Sequence, residues 1–225
     1  MKKLLIATSV VLVCVFVACA QNKEEKVTMQ GIPYPLEWVN TPLSWDVDGS
    51  DFTLVGGKGS RLFVDPRKES RDDTGPMLLF QPDETFLFSC KMKVEFGAVF
   101  DAGVLMIYDN TDLWAKLCFE YAPDPEQRPT MVSVINKKYS DDSNHHYVDG
   151  DEVYARIAGL GGGAYAFHYS MDGETWYLLR YFEMGTDKKL RIGFLSQSPR
   201  GEQCKTVFSE IKYSSDKLGN IRSGE

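Results

Sequence analysis

The amino-acid sequence predicts an all-β fold, a two-sheet antiparallel β-sandwich. About a dozen short segments alternate apolar and polar residues with the two-residue period of β-strands. Glycine, proline, aspartate and asparagine separate these segments at positions typical of turns. No segment shows a convincing helical period, and roughly 200 residues are enough for two sheets to share one core.

Three segments show how the strands are recognised. Residues 86–96 place phenylalanine, cysteine, methionine and valine on one face and serine, lysine and glutamate on the other, which predicts a long strand with one wet face. Residues 103–108 are uniformly apolar and predict a central strand. By contrast, the dense charges of residues 65–75 are interpreted as a solvated loop, and residues 137–144 as a polar connection.

The segment DLWAKLCFEY, residues 112–121, carries the clearest hint of a functional surface. Its odd-numbered positions are apolar and are expected to face a core. Its even-numbered positions place Trp114, Lys116 and Glu120 in one row on the other face. An aromatic ring beside charges of both signs is typical of a sugar-binding surface, and an ordinary exposed strand with a salt bridge is the alternative.

The N-terminus has the pattern of an export signal. Two lysines precede an apolar run, residues 4–17, which is short for a membrane span, and an uncleaved anchor is the alternative. The quartet FVAC, residues 16–19, resembles a bacterial lipobox and predicts lipidation at Cys19. We therefore expect an exported lipoprotein, anchored in the cell envelope at the outer membrane or cell surface.

The predicted organisation is a signal peptide (1–19), a flexible tether (20–34), one domain (35–214) and a polar tail (215–225).

Charge and cysteine content narrow the classes of partner. The chain has a net charge of −7. Removal of residues 1–19, which contain two lysines and no acid, makes the net charge −9. Such an acidic domain is a poor candidate for binding nucleic acid.

Beyond Cys19 the cysteines are Cys90, Cys118 and Cys204, which allow at most one disulfide, and buried free thiols are the alternative.

Several segments together resemble one known family. Residues 169–176, reading YSMDGETW, with Leu179-Arg180 after them, resemble the YSxDGxxW…R signature of many carbohydrate-associated sandwich domains. In the same chain order stand AGVLM (102–106), WAKLCFE (114–120), SDD (140–142), YARI (154–157) and IGFLSQSP (192–199). Together they resemble domain-of-unknown-function family 1349 (regulation-of-enolase-like), in the concanavalin A-like lectin/glucanase superfamily. The resemblance spans residues 36–213 and implies a concanavalin A-like jelly roll whose ligand lies on the concave face. Related domains follow glycosidase modules such as β-xylosidases.

The acidic residues argue against catalysis. A retaining glucanase of this superfamily carries paired carboxylates in an ExDxE pattern on one strand, because two acids must flank one bond. No such triplet is present. Asp112, on the same face as Glu120, is eight residues away, or about 25 Å at strand rise. No catalytic residue is therefore assigned, and a glycoside hydrolase with carboxylates from separate strands is the alternative.

Carbohydrate binding is the leading functional prediction. A sugar site needs an aromatic ring and planar polar groups that make paired hydrogen bonds. The ligand-binding candidates are Trp114, Lys116, Glu120, Tyr154, Arg156 and His168. The expected partners are an oligo- or polysaccharide and, through the lipid anchor, a membrane. A protein-interaction module of an envelope complex is a further alternative. Trp176 and Arg180 are interpreted as a core residue and a member of a cross-strand salt bridge.

No cofactor and no metal site are assigned from the sequence. Structural calcium is the alternative, because two short clusters offer the oxygen ligands that calcium prefers. The clusters are Asp46, Asp48 and Asp51, and Asp109, Asn110 and Asp112. The pair His145-His146 lies near aspartates and is interpreted as part of a solvated loop, because adjacent side chains point to opposite sides of an extended chain.

Overall fold

A computed structural model describes residues 26–123, 125–185 and 190–225. The predicted signal peptide and Cys19 lie outside the described residues. The described chain contains sixteen strands and no α-helix, so it holds no helix able to cross a membrane. The strands are β1 (Glu37–Val39), β2 (Ser44–Asp48), β3 (Asp51–Gly57), β4 (Leu62–Val64), β5 (Arg71–Asp73), β6 (Met77–Phe80), β7 (Thr85–Glu95), β8 (Ala102–Asn110), β9 (Leu113–Tyr121), β10 (Pro129–Lys137), β11 (Tyr139–Tyr147), β12 (Glu152–Gly161), β13 (Ala164–Ser170), β14 (Tyr177–Glu183), β15 (Arg191–Gln197) and β16 (Gln203–Ser214).

Fourteen of these strands form two antiparallel sheets. Sheet I has the order β1-β6-β15-β8-β9-β10-β11, and sheet II the order β14-β13-β12-β7-β16-β3-β2. Strands β4 and β5 pair separately as a small hairpin. The two-sheet antiparallel β-sandwich predicted from the sequence is thus confirmed.

Aromatic rings fill the space between the two sheets. Phe194 of sheet I lies between Phe88 and Phe208 of sheet II, with ring centroids 5.3 Å and 4.7 Å apart. Tilted and edge-on ring pairs of this kind stabilise a core beyond the area that they bury. The alternation predicted for residues 86–96 places its apolar side chains in this core from Phe86 to Val94.

A second hydrophobic cluster, which we call the outer cluster, covers the opposite face of sheet I. Leu62 and Val64 of the β4–β5 hairpin pack on it, and it includes Met106, Trp114 and Cys118. The residues 65–75 are therefore more than the solvated loop expected from their charges. They contain β5, and the hairpin that it forms with β4 covers one sheet because the inner side chains of β4 are apolar.

The polar connection expected after β10 is instead the edge strand β11. An edge strand can carry mostly polar side chains because one side and much of its surface face water. Asp141 on β11 accepts from Arg180 Nη2 of β14 at 2.5 Å, which joins the neighbouring edges of the two sheets. Arg180 thus forms an ion pair, as the sequence predicts, but between the sheets.

Both ends of the described chain pack on the sandwich. Val27, Met29 and Ile32, all within the predicted tether, are buried in the core, and Val27 exchanges two backbone hydrogen bonds with Leu36. Near the other end, Leu218 is buried against sheet II. Parts of both segments that the sequence assigns to a tether and a tail thus pack on the sandwich.

Cys90, Cys118 and Cys204 are all buried and unpaired. Burial raises the pKa of each thiol, because a thiolate loses its hydration in the interior. Of the alternatives left open by the sequence, buried free thiols are the one found.

Candidate functional site

A polar cavity of about 400 Å³ opens on the outer face of sheet I, beside the β4–β5 hairpin. We call it the Glu120 cavity. The residues lining it are Arg61, Leu62, Phe63, Asp65, Arg67, Ser70, Asp72, Phe100, Lys116, Glu120, Val134, Asp142, Gln197, Pro199 and Arg200.

Strand pairing brings four polar residues of the cavity together. Glu120 on β9 lies opposite Ala102 on β8, and Ala102 lies opposite Gln197 on β15. Lys116, two side chains earlier on the same face of β9, lies opposite Val134, which in turn lies opposite Asp142 on β11. Three strands of one sheet, β9, β11 and β15, thus contribute polar groups to the cavity.

Gln197 links the two charged residues of β9. Its Oε1 accepts from Lys116 Nζ at 3.2 Å. Its Nε2 donates to the Phe100 carbonyl at 3.1 Å and to Glu120 Oε2 at 3.5 Å. The Phe100 carbonyl fixes the orientation of the amide, because a carbonyl can only accept.

Burial changes the protonation of Glu120. Its side chain is 7% exposed, and desolvation raises its pKa to about 8, opposed by the positive charge of Lys116 and reinforced by Asp142. Desolvation within the cavity also raises the pKa of Asp142, again opposed by Lys116. Near neutral pH, Glu120 therefore holds its proton and can donate a hydrogen bond.

Trp114 is not an exposed ring. It is fully buried in the cluster beneath the hairpin, and Lys116 Nζ lies 5.5 Å from its ring centroid. The predicted alternation of β9 is correct, but both of its faces are covered. Trp114 therefore contacts Lys116 within the buried cluster, and it does not have the exposed, sugar-stacking position predicted from the sequence.

The rim of the cavity carries charges of both signs and two aromatic rings. Arg61 pairs with Asp72 at 2.7 Å, and Arg67 with Asp65 at 3.3 Å. The guanidinium of Arg200 lies 4.8 Å from the centroid of the Phe100 ring. Guanidinium and carboxylate groups make paired hydrogen bonds, and Phe63 and Phe100 add apolar surface.

The other three candidate residues lie on sheet II. Tyr154 donates to Glu210 at 2.7 Å, Arg156 Nη2 donates to the Gly224 carbonyl at 2.6 Å, and His168 Nε2 lies 2.8 Å from the Ile221 carbonyl. Strand β9 belongs to sheet I, whereas β12 and β13 belong to sheet II. The six residues predicted as one site are therefore divided between the two sheets.

Gln197 and Asp142 of the Glu120 cavity are among the lining residues that were not predicted as ligand-binding residues. Gln197 follows Leu195 on the same face of β15, and Leu195 lies in the outer cluster. Because side chains two positions apart share one face of a strand, the sequence indicated that Gln197 faces the same side of the sheet as Leu195. Asp142 lies in residues 137–144, which were interpreted as a polar connection, so it was not assigned to the face of a strand.

The described residues include no group of three or more histidine, cysteine, aspartate or glutamate side chains arranged to hold a metal ion.

The fold and the cavity define a β-sandwich domain with a partly buried polar pocket on one sheet. Residues 38–216 match the family described as protein of unknown function (DUF1349), and the chain belongs to this family. No curated protein matches the sequence.

Several solved structures share the fold. A functionally unknown protein from Saccharomyces cerevisiae superposes with a TM-score of 0.74 at 20% identity, over 80% of this chain and 96% of that one. The GH43 protein BlXynB from Bacillus licheniformis gives 0.65 at 13% identity, over 86% of this chain and 38% of that one. A Bacteroides ovatus protein titled xyloglucan PUL GH43B gives 0.64 at 11% identity, over 86% and 38%. The chain thus spans well under half the length of these GH43 proteins, and the likeness shows the fold alone.

Proposed function

We propose that this protein is a non-catalytic carbohydrate-binding domain and that the Glu120 cavity is its binding site. The observation that carries the proposal is the buried row of Lys116, Gln197 and Glu120 on the cavity wall. Buried charged and amide groups cost free energy unless they are partnered. Gln197 takes one of the three donors of Lys116, which leaves capacity for a ligand.

The chemistry of the cavity suits a sugar. A sugar hydroxyl both donates and accepts, and the cavity offers Lys116 as a donor, Asp142 as an acceptor and protonated Glu120 as either. Phe63 and Phe100 supply apolar surface for the C–H face of a sugar ring. The GH43 titles among proteins with this fold support the same ligand class.

We also propose that the protein is exported and held in the bacterial envelope by a lipid on Cys19. The proposal rests on the FVAC quartet and the basic, apolar N-terminus. Metabolic labelling with a fatty acid should mark the wild type and leave Cys19→Ala unlabelled. Equal labelling of the two would contradict the anchor.

Calorimetry with a panel of xylan, arabinan and xyloglucan oligosaccharides tests the binding site. Lys116→Met and Gln197→Leu should each weaken binding by about tenfold or more, because each removes a hydrogen bond in a desolvated cavity. Lys205→Gln, an exposed lysine of sheet II paired with Glu95, serves as the control and should bind as the wild type does. Absence of glycan binding by the wild type, or unchanged affinity in both cavity variants, would reject the proposal.

A glycoside hydrolase is the second candidate, and one observation favours it. Glu120 and Asp142, from two different strands, line the same cavity, and Glu120 has the raised pKa that a general acid requires. Product release from the same panel would support hydrolysis if Glu120→Gln abolished it while retaining binding. No turnover by the wild type would rule against it.

A further inference from the structure

A second cavity, of about 450 Å³, lies on sheet II, away from the Glu120 cavity. We call it the Arg156 cavity. Its walls come from β7, β12 and β16 and from the loop that follows β13. Leu87, Trp176 and Tyr213 supply apolar surface, and Ser89 and Ser214 supply hydroxyls.

Arg156 is the unusual group in this cavity. It is 6% exposed, and its Nε has no hydrogen-bond partner. The ring of Trp176 lies 4.0 Å from the guanidinium carbon, and Nη2 donates to the neutral carbonyl of Gly224. Arg156 is thus held in place by stacking and by a carbonyl, with no carboxylate paired to it among the described residues.

Two of the carboxylates that line this cavity, Asp172 and Glu210, have other partners. Asp172 accepts from the backbone amides of Glu174 and Thr175 at 2.9 Å and 2.7 Å, and these bonds hold its pKa well below the usual range. Glu210 accepts from the Tyr154 hydroxyl. Burial, without an offsetting carboxylate, lowers the pKa of Arg156 to about 10. A buried cation without a counter-charge is costly, and a bound anion would remove that cost.

We propose that the Arg156 cavity binds an acidic sugar, with the sugar carboxylate on Arg156. Lys212, an exposed residue of the same wall, provides a second positive charge for the carboxylate. The ring hydroxyls would donate to Glu174 and Glu210 and exchange hydrogen bonds with Ser89 and Ser214. This ligand combines one carboxylate with several hydroxyls, and so satisfies both charge signs of the wall. An acidic peptide would place further carboxylates against Glu174 and Glu210, which disfavours it.

The site is independent of the Glu120 cavity, because the two lie on different sheets and share no lining residue. The proposal therefore goes beyond the proposed function. It also predicts a different ligand preference. The Arg156 cavity should bind a glycan that carries a carboxylate more tightly than a neutral glycan.

The test compares galactose oligomers that carry a single galacturonic acid residue at one end with unsubstituted galactose oligomers of equal length by calorimetry. The wild type should bind the acidic oligomer at least about tenfold more tightly, because hydrogen bonds to charged groups are the stronger ones. Arg156→Gln should remove that preference, and Lys212→Gln should reduce it a few-fold. The matched control Lys205→Gln, also on β16, should leave it unchanged, as should Gln197→Leu in the Glu120 cavity.

Equal binding of acidic and neutral oligomers, or a preference retained in Arg156→Gln, would overturn the proposal. Loss of the preference in Gln197→Leu alone would assign the acidic ligand to the other cavity. Should Arg156→Gln fail to fold, Lys212→Gln decides, and an unchanged preference there would count against the site. Tighter binding of an acidic peptide than of the acidic sugar would refute the ligand class.

Discussion

Gln197 and Glu120 lie on the same row of sheet I with one strand between them, and Gln197 Nε2 is 3.5 Å from Glu120 Oε2. The two residues are 77 positions apart in sequence. Their proximity follows from the register of β15, β8 and β9. The Glu120 cavity is thus built across strands, and the acid that appears isolated along β9 has close neighbours in the sheet.

The raised pKa of Glu120 predicts that stability falls as pH rises. Between about 4.5 and about 8, the unfolded chain has lost this proton while the folded chain keeps it, so the free energy of unfolding decreases with pH. The slope is at most about 1.4 kcal/mol per pH unit. Urea unfolding from pH 4.5 to 9 should show this slope in the wild type and its loss in Glu120→Gln. Glu202→Gln, at an exposed pair, is the control, and an identical slope in all three would contradict the prediction.

His168 predicts the opposite dependence in acid. Burial lowers its pKa to about 4, so between about 6.5 and about 4 the unfolded chain binds a proton that the folded chain does not. Stability is therefore lost as pH falls, and the segment held by the His168–Ile221 contact should loosen first. The protection factors of the amides in residues 215–225, which correct for the pH dependence of intrinsic exchange, should fall at pH 4.5 in the wild type and much less in His168→Gln. Exposed His146→Gln should behave as the wild type, and protection factors that do not change with pH would argue against the prediction.

Trp114→Ala is expected to destabilise the fold by about 3–5 kcal/mol, because it empties a fully buried site in the outer cluster. Chemical unfolding measures the loss. Trp45→Ala, at a ring that is 39% exposed, should cost much less. Equal losses would show that the hairpin does not bury Trp114 in solution.

Gly193→Ala is expected to disrupt the pairing of β15 with β6. A Cβ at this position would lie 2.0 Å from the Leu78 carbonyl oxygen, so the backbone must move. The expected loss is roughly 2 kcal/mol or more, as for other overpacked interiors. Gly57→Ala is the matched control, because its nearest atom would be 3.6 Å away. Comparable stability of the two variants would contradict the packing of sheet I.

Much of the fold was predictable because the two-residue period survives wherever one face of a strand meets the core. The alternation from Phe86 to Val94 identified β7 from its sequence alone. The two-residue period does not identify the edge strand β11, because most of its side chains are polar and face water. It also cannot tell that the second face of β9 is covered, because that depends on the distant β4–β5 hairpin.

The candidate site was only half predictable for a related reason. Lys116 and Glu120 were identified because they share one strand. Arg156 and His168 are also polar side chains suited to sugar binding, but they belong to the other sheet. The order of strands in a sheet is not encoded in spacing along the chain. Gln197 and Asp142 required the register between strands, which the period alone does not supply.

The three buried, unpaired cysteines have a consequence for how this domain can be produced. Cys90, Cys118 and Cys204 contribute to the interior as small apolar side chains, and no covalent bridge among the described residues holds the sandwich together. Folding of the domain therefore requires no oxidant, and the same sandwich is accessible under reducing or oxidising conditions.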